Sequence, residues 1–286
     1  MILIDGKKIA TAVLDEIEQR LSLLPERKPG LAFILVGNHS ASESYVRAKR
    51  KACAKVGIIS TLIELPANVS QTELLETIKT LNEDPTIDGI LVQLPLPRPL
   101  SESAVMLAID PAKDVDGFHP LNMGKLLLGQ EGGFLPCTPL GIKTLLDAYQ
   151  ISVSSKRVVI VGRSNIVGKP LAALLVQKRV DCNATVTLAH SQSAHLSEIT
   201  KSADILIVAM GQPRFIRKEM VKPGSVVIDV GINRLDNGTI VGDVDFDAVA
   251  PLTSHITPVP GGVGPMTIAM LLQNTFLSYT TKDEIR

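Results

Sequence analysis

Short apolar segments rich in β-branched residues alternate along the chain with longer segments in which apolar residues recur at helical spacing. Short continuous apolar runs are typical of strands buried on both faces, and a repeated strand–helix order is typical of a parallel sheet covered by helices. The predicted strands are 31–36, 58–65, 89–94, 157–161, 184–189, 204–209 and 226–230, and the predicted helices are 43–56, 72–81, 140–149, 195–201 and 266–279. The pattern therefore predicts an α/β fold.

Two segments rich in glycine and proline, 129–139 and 258–265, interrupt this alternation. A chain of 286 residues is long enough for two domains of ordinary size. We therefore predict an N-terminal α/β domain over residues 1–138 and a second, Rossmann-like domain over residues 139–265. The C-terminal helix is expected to pack back on the first domain, which assigns residues 266–286 to it.

The composition narrows the class of protein. The chain has 29 basic and 29 acidic residues, whereas a nucleic-acid-binding protein usually has a basic excess. Its 3 cysteines are far apart and show neither a metal-binding spacing nor a disulfide framework, which fits a reducing compartment. The N-terminal residues do not resemble a signal peptide, and no apolar run approaches the roughly 20 residues that span a bilayer. We expect a cytoplasmic protein without nucleic-acid or membrane partners.

The segment 158–170 has the order strand, glycine turn and helix start. A pyrophosphate binds favourably at such a place, because the helix N-terminus presents backbone N–H groups and a positive dipole end. Gly162 and Gly168 fit the first and last glycines of the dinucleotide signature if one residue is inserted. Arg163 and Ser164 stand near the missing middle glycine. An ordinary strand-to-helix turn is the alternative, but the segment opens a new series of strands and helices, which favours dinucleotide binding.

The residues after the next strand, 184–189, bear on the type of cofactor. NAD sites normally place an acidic residue there to bind the ribose 2′-hydroxyl, but this chain has His190 and Ser191. The Ser191 hydroxyl and the Arg163 cation suit a 2′-phosphate better, which predicts NADP. The alternative is that Ser191 caps the helix predicted over 195–201.

Polar residues of the first domain fall into a pattern on one predicted helix. Ser40 and Glu43 have capping-box spacing, and Gly57 is a suitable C-terminal stop. Tyr45 and Lys49 are four residues apart and therefore share a helix face. Most such pairs are solvated surface residues, but a tyrosine ring beside an ammonium group can also stack on a flat substrate and polarise it.

Two further polar residues follow predicted strand and turn segments of the first domain. Gln93 lies at the carboxyl end of the strand over 89–94, where open parallel sheets place their ligands. The proline-rich segment 95–99 after it is either a rigid loop or a docking ligand, and its position directly after a buried strand favours the loop. Asp116 is expected in a turn, where its carboxylate is able to accept hydrogen bonds from a ligand's amino and ring N–H groups.

Six segments resemble, in order and across nearly the whole chain, those of the FolD-type bifunctional methylenetetrahydrofolate dehydrogenase/methenyltetrahydrofolate cyclohydrolases. They are IDGK at 4–7, YVRAKRKAC at 45–53, VQLPLP at 92–97, KDVDGFHP at 113–120, GRSxxVGKP at 162–170 (x marks positions outside the match) and TPVPGGVGPMT at 257–267. The resemblance implies a two-domain α/β homodimer that binds tetrahydrofolate derivatives in its cleft and NADP on the second domain.

The resemblance also implies roles for particular residues. Lys49 corresponds to the catalytic lysine and Tyr45 to the ring that stacks on the folate, while Gln93 orients Lys49 and Asp116 binds the pterin. Further members of the implied folate site are Pro260, Gly261 and Gly262. The implied cofactor site comprises Gly162, Arg163, Ser164, Gly168 and Ser191, with Gly211 and Ile232 near the nicotinamide.

One departure and three alternatives accompany this interpretation. Many relatives carry a basic residue after the His-Ser pair, where this chain has Gln192, which removes one candidate partner of the 2′-phosphate. The alternatives are a dehydrogenase with little cyclohydrolase activity, a folate- or nucleotide-binding regulator without turnover, and an enzyme similar to shikimate dehydrogenase. A regulator does not need Lys49, and the third class lacks the segments around Asp116 and 260–266.

Overall fold

The computed structural model describes residues 1–24 and 27–281, and strands and helices alternate along them as the apolar pattern predicts. The strands are β1 (Ile2–Leu3), β2 (Gly30–Val36), β3 (Ile59–Leu65), β4 (Gly89–Val92), β5 (Arg157–Val161), β6 (Thr185–Ala189), β7 (Ile205–Val208), β8 (Val226–Asp229), β9 (Asn233–Arg234), β10 (Ile240–Val241) and β11 (His255–Ile256). The α/β fold predicted from the sequence is confirmed.

Helices connect most of these strands. They are α1 (Gly6–Ser22), α2 (Ser40–Val56), α3 (Gln71–Glu83), α4 (Glu102–Ala108), α5 (Pro120–Leu128), α6 (Cys137–Ala148), α7 (Gly168–Leu175), α8 (Leu196–Lys201), α9 (Phe246–Val249) and α10 (Val263–Thr281). Short 3₁₀ helices cover Lys218–Met220 and Ala250–Leu252. Among the described residues, no helix combines the length and the apolar character needed to cross a bilayer.

The chain divides into two compact units, which we name after their main sheets. The three-stranded unit comprises Thr11–Cys137 and the residues from Ile268 onward, and the six-stranded unit comprises Met1–Ala10 and Thr138–Thr267. The predicted boundaries placed residues 1–10 in the first domain, whereas Met1–Ala10 group with the six-stranded unit. Ile2 and Leu3 form β1, which pairs in parallel with β11 of the six-stranded unit. A strand of two residues is too short to be recognised from an apolar pattern.

The three-stranded unit is built around β2, which lies between β3 and β4 in an all-parallel sheet. Every residue of β2 is buried, as expected for a central strand covered by helices on both faces. Leu74 and Ile78 of α3 are fully buried in the cluster that packs on one side of this sheet. Ser70 accepts a hydrogen bond from the Glu73 amide and so caps the N-terminus of α3.

The C-terminal helix α10 is bonded to the three-stranded unit through buried polar side chains. The Asn274 amide group donates to the carbonyl oxygens of Val115 (2.8 Å) and Leu135 (3.0 Å). The Ser278 hydroxyl donates to the carbonyl oxygen of Asp88 at 2.7 Å. The predicted packing of this helix on the first domain is thereby confirmed, and residues 282–286 of the predicted segment lie outside the described residues.

The six-stranded unit contains a parallel sheet in the order β1-β11-β8-β7-β5-β6. From β5 the chain moves outward to β6 and then returns to the other side of β5 to form β7. The connections therefore change direction between β5 and β7, and the carboxyl ends of such neighbouring strands are where open α/β sheets bind ligands. A separate antiparallel pair, β9 and β10, lies in the same unit.

The sequence predicted how α2 begins and ends, and the structure agrees only with the predicted end. The predicted capping box of Ser40 and Glu43 is wrong, because the helix begins at Ser40 itself and its N-cap residue is His39. The Glu43 amide donates to the His39 carbonyl oxygen at 3.0 Å. Gly57 ends the helix as predicted, in a left-handed conformation with φ 87, and its amide donates to the Cys53 carbonyl oxygen.

The core of the three-stranded unit gives a first prediction. Leu74→Ala should lower the free energy of unfolding by about 2–5 kcal/mol, because it removes buried methyl groups and leaves a cavity. The measurement is the midpoint of urea unfolding followed by circular dichroism. Glu76→Ala changes an exposed residue of the same helix and should shift the stability by at most about 0.5 kcal/mol. Equal midpoints for Leu74→Ala and the wild type would contradict the packing described for α3.

Candidate active site

Helix α2 presents two of the predicted site residues on one face. Tyr45 is 47% exposed, and Lys49, one turn further along, is partly buried. A phenol ring with nearly half of its surface open offers a flat apolar face to a planar ligand. The ammonium group one turn away supplies hydrogen-bond donors and a positive charge beside that face.

Gln93 connects this helix to the sheet. It follows β4 directly, and its amide donates to the carbonyl oxygen of Ile34 on the central strand at 2.9 Å. Its side-chain amide nitrogen donates to the Leu94 carbonyl oxygen at 2.7 Å, which directs the side-chain oxygen Oε1 towards Lys49. Lys49 Nζ donates to Gln93 Oε1 at 3.1 Å. The predicted pairing of Lys49 with Gln93 is present in the structure.

Asp116 lies in a turn, as the sequence predicted. The turn is held by Asp114, whose carboxylate accepts hydrogen bonds from the amides of Phe118 (3.2 Å) and His119 (2.7 Å) and from the side chain of Asn122 (2.8 Å). Burial nevertheless raises the pKa of Asp114 to about 6. These bonds fix the backbone on either side of Asp116.

The carboxyl group of Asp116 is electrostatically linked to Lys49. Burial raises the pKa of Asp116 above its usual range, and the Lys49 cation and the Cys137 thiol oppose that rise. A ligand that brings N–H donors or positive charge to this carboxylate would compensate for its lost hydration. The three-stranded unit therefore places a lysine, a glutamine, an acid and an open tyrosine ring within one local arrangement.

Cys137 is a neighbour of Asp116 that the sequence did not reveal. Its buried thiol donates to the Val115 carbonyl oxygen at 3.4 Å, and the Asn274 amide nitrogen lies 3.8 Å from its sulfur. Burial and the Asp116 charge raise the pKa of this thiol well above its usual value. A lone cysteine in an apolar context is usually a core residue, so only the folded chain shows its position beside the acid.

The glycine turn after β5 is compact because two of its residues lack a side chain. Gly162 has φ +130, and a Cβ atom there would overlap the carbonyl oxygen of Ala209 at the end of β7. Gly168 is the first residue of α7, and a Cβ atom there would overlap the carbonyl oxygen of Gly162. The turn thus brings the N-terminus of α7 against the end of β5, at the position where the chain connections change direction.

The side chains around this turn are those the sequence singled out. The Ser164 hydroxyl accepts a hydrogen bond from the Val167 amide at 3.1 Å and retains its own proton for donation. Arg163 is exposed, and its Nη1 lies 3.2 Å from Nε2 of His190, directly after β6. Ser191 is exposed in the following turn and does not cap α8, whose N-cap residue is His195.

Gly211 and Ile232 lie beyond the neighbouring strands β7 and β8. Gly211 adopts φ +67 and a Cβ atom there would meet nothing within 4 Å, and Ile232 is 48% exposed. Pro260, Gly261 and Gly262 also belong to the six-stranded unit. Gly261 has φ +112, and its carbonyl oxygen accepts a hydrogen bond from the Lys7 amide. Tyr45, Lys49, Gln93 and Asp116 belong to the three-stranded unit.

Two buried acids of the six-stranded unit were not recognised in the sequence. Asp229 is the last residue of β8, and Asp243 follows β10; both are almost completely buried. Both carboxylates accept several backbone amides, and burial raises the pKa of Asp229 to about 7. For Asp229, the sequence did carry a signal, because this acid lies near the end of a predicted strand that is otherwise apolar.

The residues of the β5 turn fit a dinucleotide. The turn is tight, the N-terminus of α7 offers amide donors and a positive dipole end, and Arg163 and Ser191 stand at the adjoining strand end where a ribose phosphate would lie. Fold and site together define a two-unit α/β protein with a dinucleotide-binding unit and a second unit that carries a lysine-centred polar site.

Comparison with known proteins identifies the family. The catalytic-domain model of tetrahydrofolate dehydrogenase/cyclohydrolase matches residues 4–116, and the NAD(P)-binding-domain model matches residues 136–283. The chain is 56% identical to the bifunctional protein FolD of Halalkalibacterium halodurans over 276 residues, covering 96% of this chain and 97% of that protein. The chain belongs to the tetrahydrofolate dehydrogenase/cyclohydrolase family.

Solved structures agree with this assignment. The crystal structure of the bifunctional methylenetetrahydrofolate dehydrogenase/cyclohydrolase FolD from Campylobacter jejuni gives a TM-score of 0.96 at 50% identity and covers 99% of both chains. The Trypanosoma brucei dehydrogenase-cyclohydrolase, crystallised with NADP cofactor and inhibitor, gives a TM-score of 0.93 at 38% identity, with 100% of this chain and 99% of that chain covered.

The cysteines give a second prediction. Burial raises the pKa of Cys53 to about 12 and also raises the pKa values of Cys137 and Cys182, so little thiolate is present at pH 8. We expect each of these thiols to react with an aromatic disulfide reagent at least about tenfold more slowly in the folded protein than in denaturant. Absorbance of the released thiolate measures the rate. A thiol that reacts equally fast in both states would contradict its described burial.

Proposed function

We propose that this chain oxidises 5,10-methylenetetrahydrofolate to 5,10-methenyltetrahydrofolate with NADP and hydrolyses the product to 10-formyltetrahydrofolate. The full-length similarity to bifunctional relatives supports both activities. The observation that carries the assignment of the reaction centre is the hydrogen bond from Lys49 to Gln93 beside Asp116. A binding regulator would not need a lysine held in this way.

The first reaction mainly requires alignment of two flat partners. When bound, NADP supplies a nicotinamide ring whose C4 accepts the hydride that leaves the one-carbon bridge between N5 and N10. We assign to the open Tyr45 ring the stacking of the folate, and to Asp116 the acceptance of hydrogen bonds from the pterin. Fixed placement of this kind removes much of the entropic barrier to a reaction between two bound molecules.

The second reaction adds water to the methenyl carbon and breaks its bond to N5. Lys49 is the proposed catalytic residue for this step, because its ammonium group has three N–H donors and Gln93 fixes the direction of one of them. The remaining donors are available to bind and polarise the attacked group. Gln93 acts as a positioning residue, since its own orientation is fixed by the bond to the Leu94 carbonyl oxygen.

We assign NADP to the six-stranded unit. Gly162 and Gly168 would allow the pyrophosphate to approach the N-terminus of α7, with the Ser164 hydroxyl as a further donor. Arg163 and Ser191 would bind the 2′-phosphate, and the contact of Arg163 with His190 supports this placement.

The remaining site residues extend both ligand sites. Gly211 and Ile232, on the β7 and β8 side of β5, are assigned to the nicotinamide end. Pro260, Gly261 and Gly262 are assigned to the folate site, where a backbone without bulky side chains would permit close approach. A cytoplasmic homodimer completes the proposal and rests on the resemblance to the family.

The test is an absorbance assay of the purified protein with methylenetetrahydrofolate and either NADP or NAD. Reduced cofactor and methenyl product are followed together. We expect reduction of NADP to be at least about tenfold faster than that of NAD, because a bound 2′-phosphate adds charge-assisted hydrogen bonds. We also expect no lasting methenyl signal. Accumulating methenyl product would indicate a dehydrogenase alone, and no reduction with either cofactor would contradict the proposal.

Replacement of the lysine separates catalysis from cofactor binding. Lys49→Ala should lower the cyclohydrolase rate at least about 100-fold, because positioned proton donors typically contribute that much. NADP affinity, measured by calorimetry, should stay unchanged because Lys49 lies in the other unit. Lys51→Ala changes an exposed lysine of the same helix and serves as the matched control. If both rates survive in Lys49→Ala, Lys49 is not the catalytic residue.

A further inference from the structure

One buried carboxylate organises a complete loop of the six-stranded unit. Asp243 is 0% exposed, and its Oδ2 accepts hydrogen bonds from the amides of Met210 (2.6 Å) and Gly211 (2.9 Å). Its Oδ1 accepts from the Gln212 amide (2.9 Å) and from the Asn233 side chain (2.8 Å). Three consecutive backbone amides thus converge on one side chain, in the manner of a loop that surrounds an anion.

A second carboxylate holds the first one in place. Asp229 Oδ1 accepts from the amides of Gly231 and Asp243, both at 3.0 Å, and its Oδ2 accepts from the Val244 amide at 2.9 Å. A Cβ atom on Gly231 would overlap the Asp243 carboxyl group, so the turn after β8 packs directly against it. The loop 210–212 and the segment 231–233 are therefore connected through these two acids.

The position of both segments follows from the order of the strands. The order β8-β7-β5-β6 places the loop 210–212 and the segment 231–233 on one side of β5, and Ser191 on the other side. A dinucleotide whose pyrophosphate lies at the β5 turn extends to both sides of it. With the ribose phosphate at the β6 side, the nicotinamide half must lie at the side that Asp243 organises.

We propose that Asp243 is a positioning residue for the nicotinamide half of the cofactor site, acting through the amides of residues 210–212 and the side chain of Asn233. This inference rests on the proposed function, since it assumes that the dinucleotide binds at the β5 turn. Asp243 itself is fully buried and acts through the loop that carries Gly211.

The geometry requires a carboxylate rather than any polar side chain of the same shape. Each oxygen of Asp243 accepts two N–H groups, so all four donors need acceptor positions. Asparagine has one oxygen, and its NH₂ group would face two of the donors. In Asp243→Asn, two of these four hydrogen bonds are lost while volume and shape are preserved, so the loop should leave its bound conformation for part of the time.

The experiment compares two ligands by calorimetry on the full chain. NADP contacts both sides of β5, whereas adenosine 2′,5′-bisphosphate lacks the nicotinamide half and tests the β6 side alone. For Asp243→Asn we expect the dissociation constant of NADP to rise about tenfold, as it would if the competent loop were populated about one tenth of the time. The dissociation constant of adenosine 2′,5′-bisphosphate should stay within about twofold of the wild-type value. Asp247→Asn, the same change at an exposed position on α9, should alter neither value.

A milder variant covers the case in which Asp243→Asn does not fold. Asn233→Ala removes one of the four donors and should weaken NADP binding by about threefold or more, again without effect on adenosine 2′,5′-bisphosphate. Unchanged NADP affinity in the folded variants, or an equal loss for both ligands, would overturn the positioning role. A wild-type protein that binds neither ligand would instead overturn the proposed function, and with it this inference.

Discussion

Backbone amides in the loops that follow parallel strands must find acceptors, and in this protein buried aspartates supply many of them. Asp114 accepts the amides that follow Gly117, Asp229 and Asp243 accept those around the β7 and β8 ends, and Asp88 accepts the Gly30 amide at the start of β2. An unpaired buried amide destabilises the fold, so each carboxylate determines the path of its loop. The loops that carry Asp116 and Gly211 depend on this interaction.

The two units present different groups at the carboxyl ends of their parallel strands. In the three-stranded unit, Gln93 follows the carboxyl end of β4 and holds the flexible side chain of Lys49 on α2 in one direction. In the six-stranded unit, the carboxyl ends of the strands present mostly backbone groups. These are glycines without side chains, amides and a helix N-terminus. The difference matches the chemistry proposed for each, because folate conversion needs a positioned ammonium group, whereas dinucleotide binding needs close approach to N–H groups.

Features encoded in contiguous apolar residues were predictable from the sequence. The strands around Phe33 and Ile160 are continuous apolar runs, and the glycine turn at Gly162 and the stop at Gly57 follow from local backbone preferences. The roles of Lys49, Gln93 and Asp116 come from the resemblance, and the structure adds the hydrogen bond from Lys49 to Gln93.

Features that depend on distant partners were not predictable in this way. The two residues of β1 form a strand only because they pair with β11. Cys137 stands out only because the fold places it beside Asp116. In the sequence, Asp243 is one of several neighbouring acids, and nothing there distinguishes it from the others. Its four donors come from segments 10 to 33 positions away along the chain. Likewise, the spacing of Ser40 and Glu43 suggested a cap, but the helix already includes Ser40.

The division of the chain between the units has a consequence for synthesis. Helix α1 begins in the six-stranded unit and continues in the three-stranded one, and α10 does the same. Neither unit is therefore a continuous stretch of chain. During translation, which proceeds from the N-terminus, the three-stranded unit lacks Asn274 and Ser278 until the whole segment Thr138–Thr267 has been made. The carbonyl oxygens of Val115, Leu135 and Asp88 therefore lack these donors until synthesis has passed that segment.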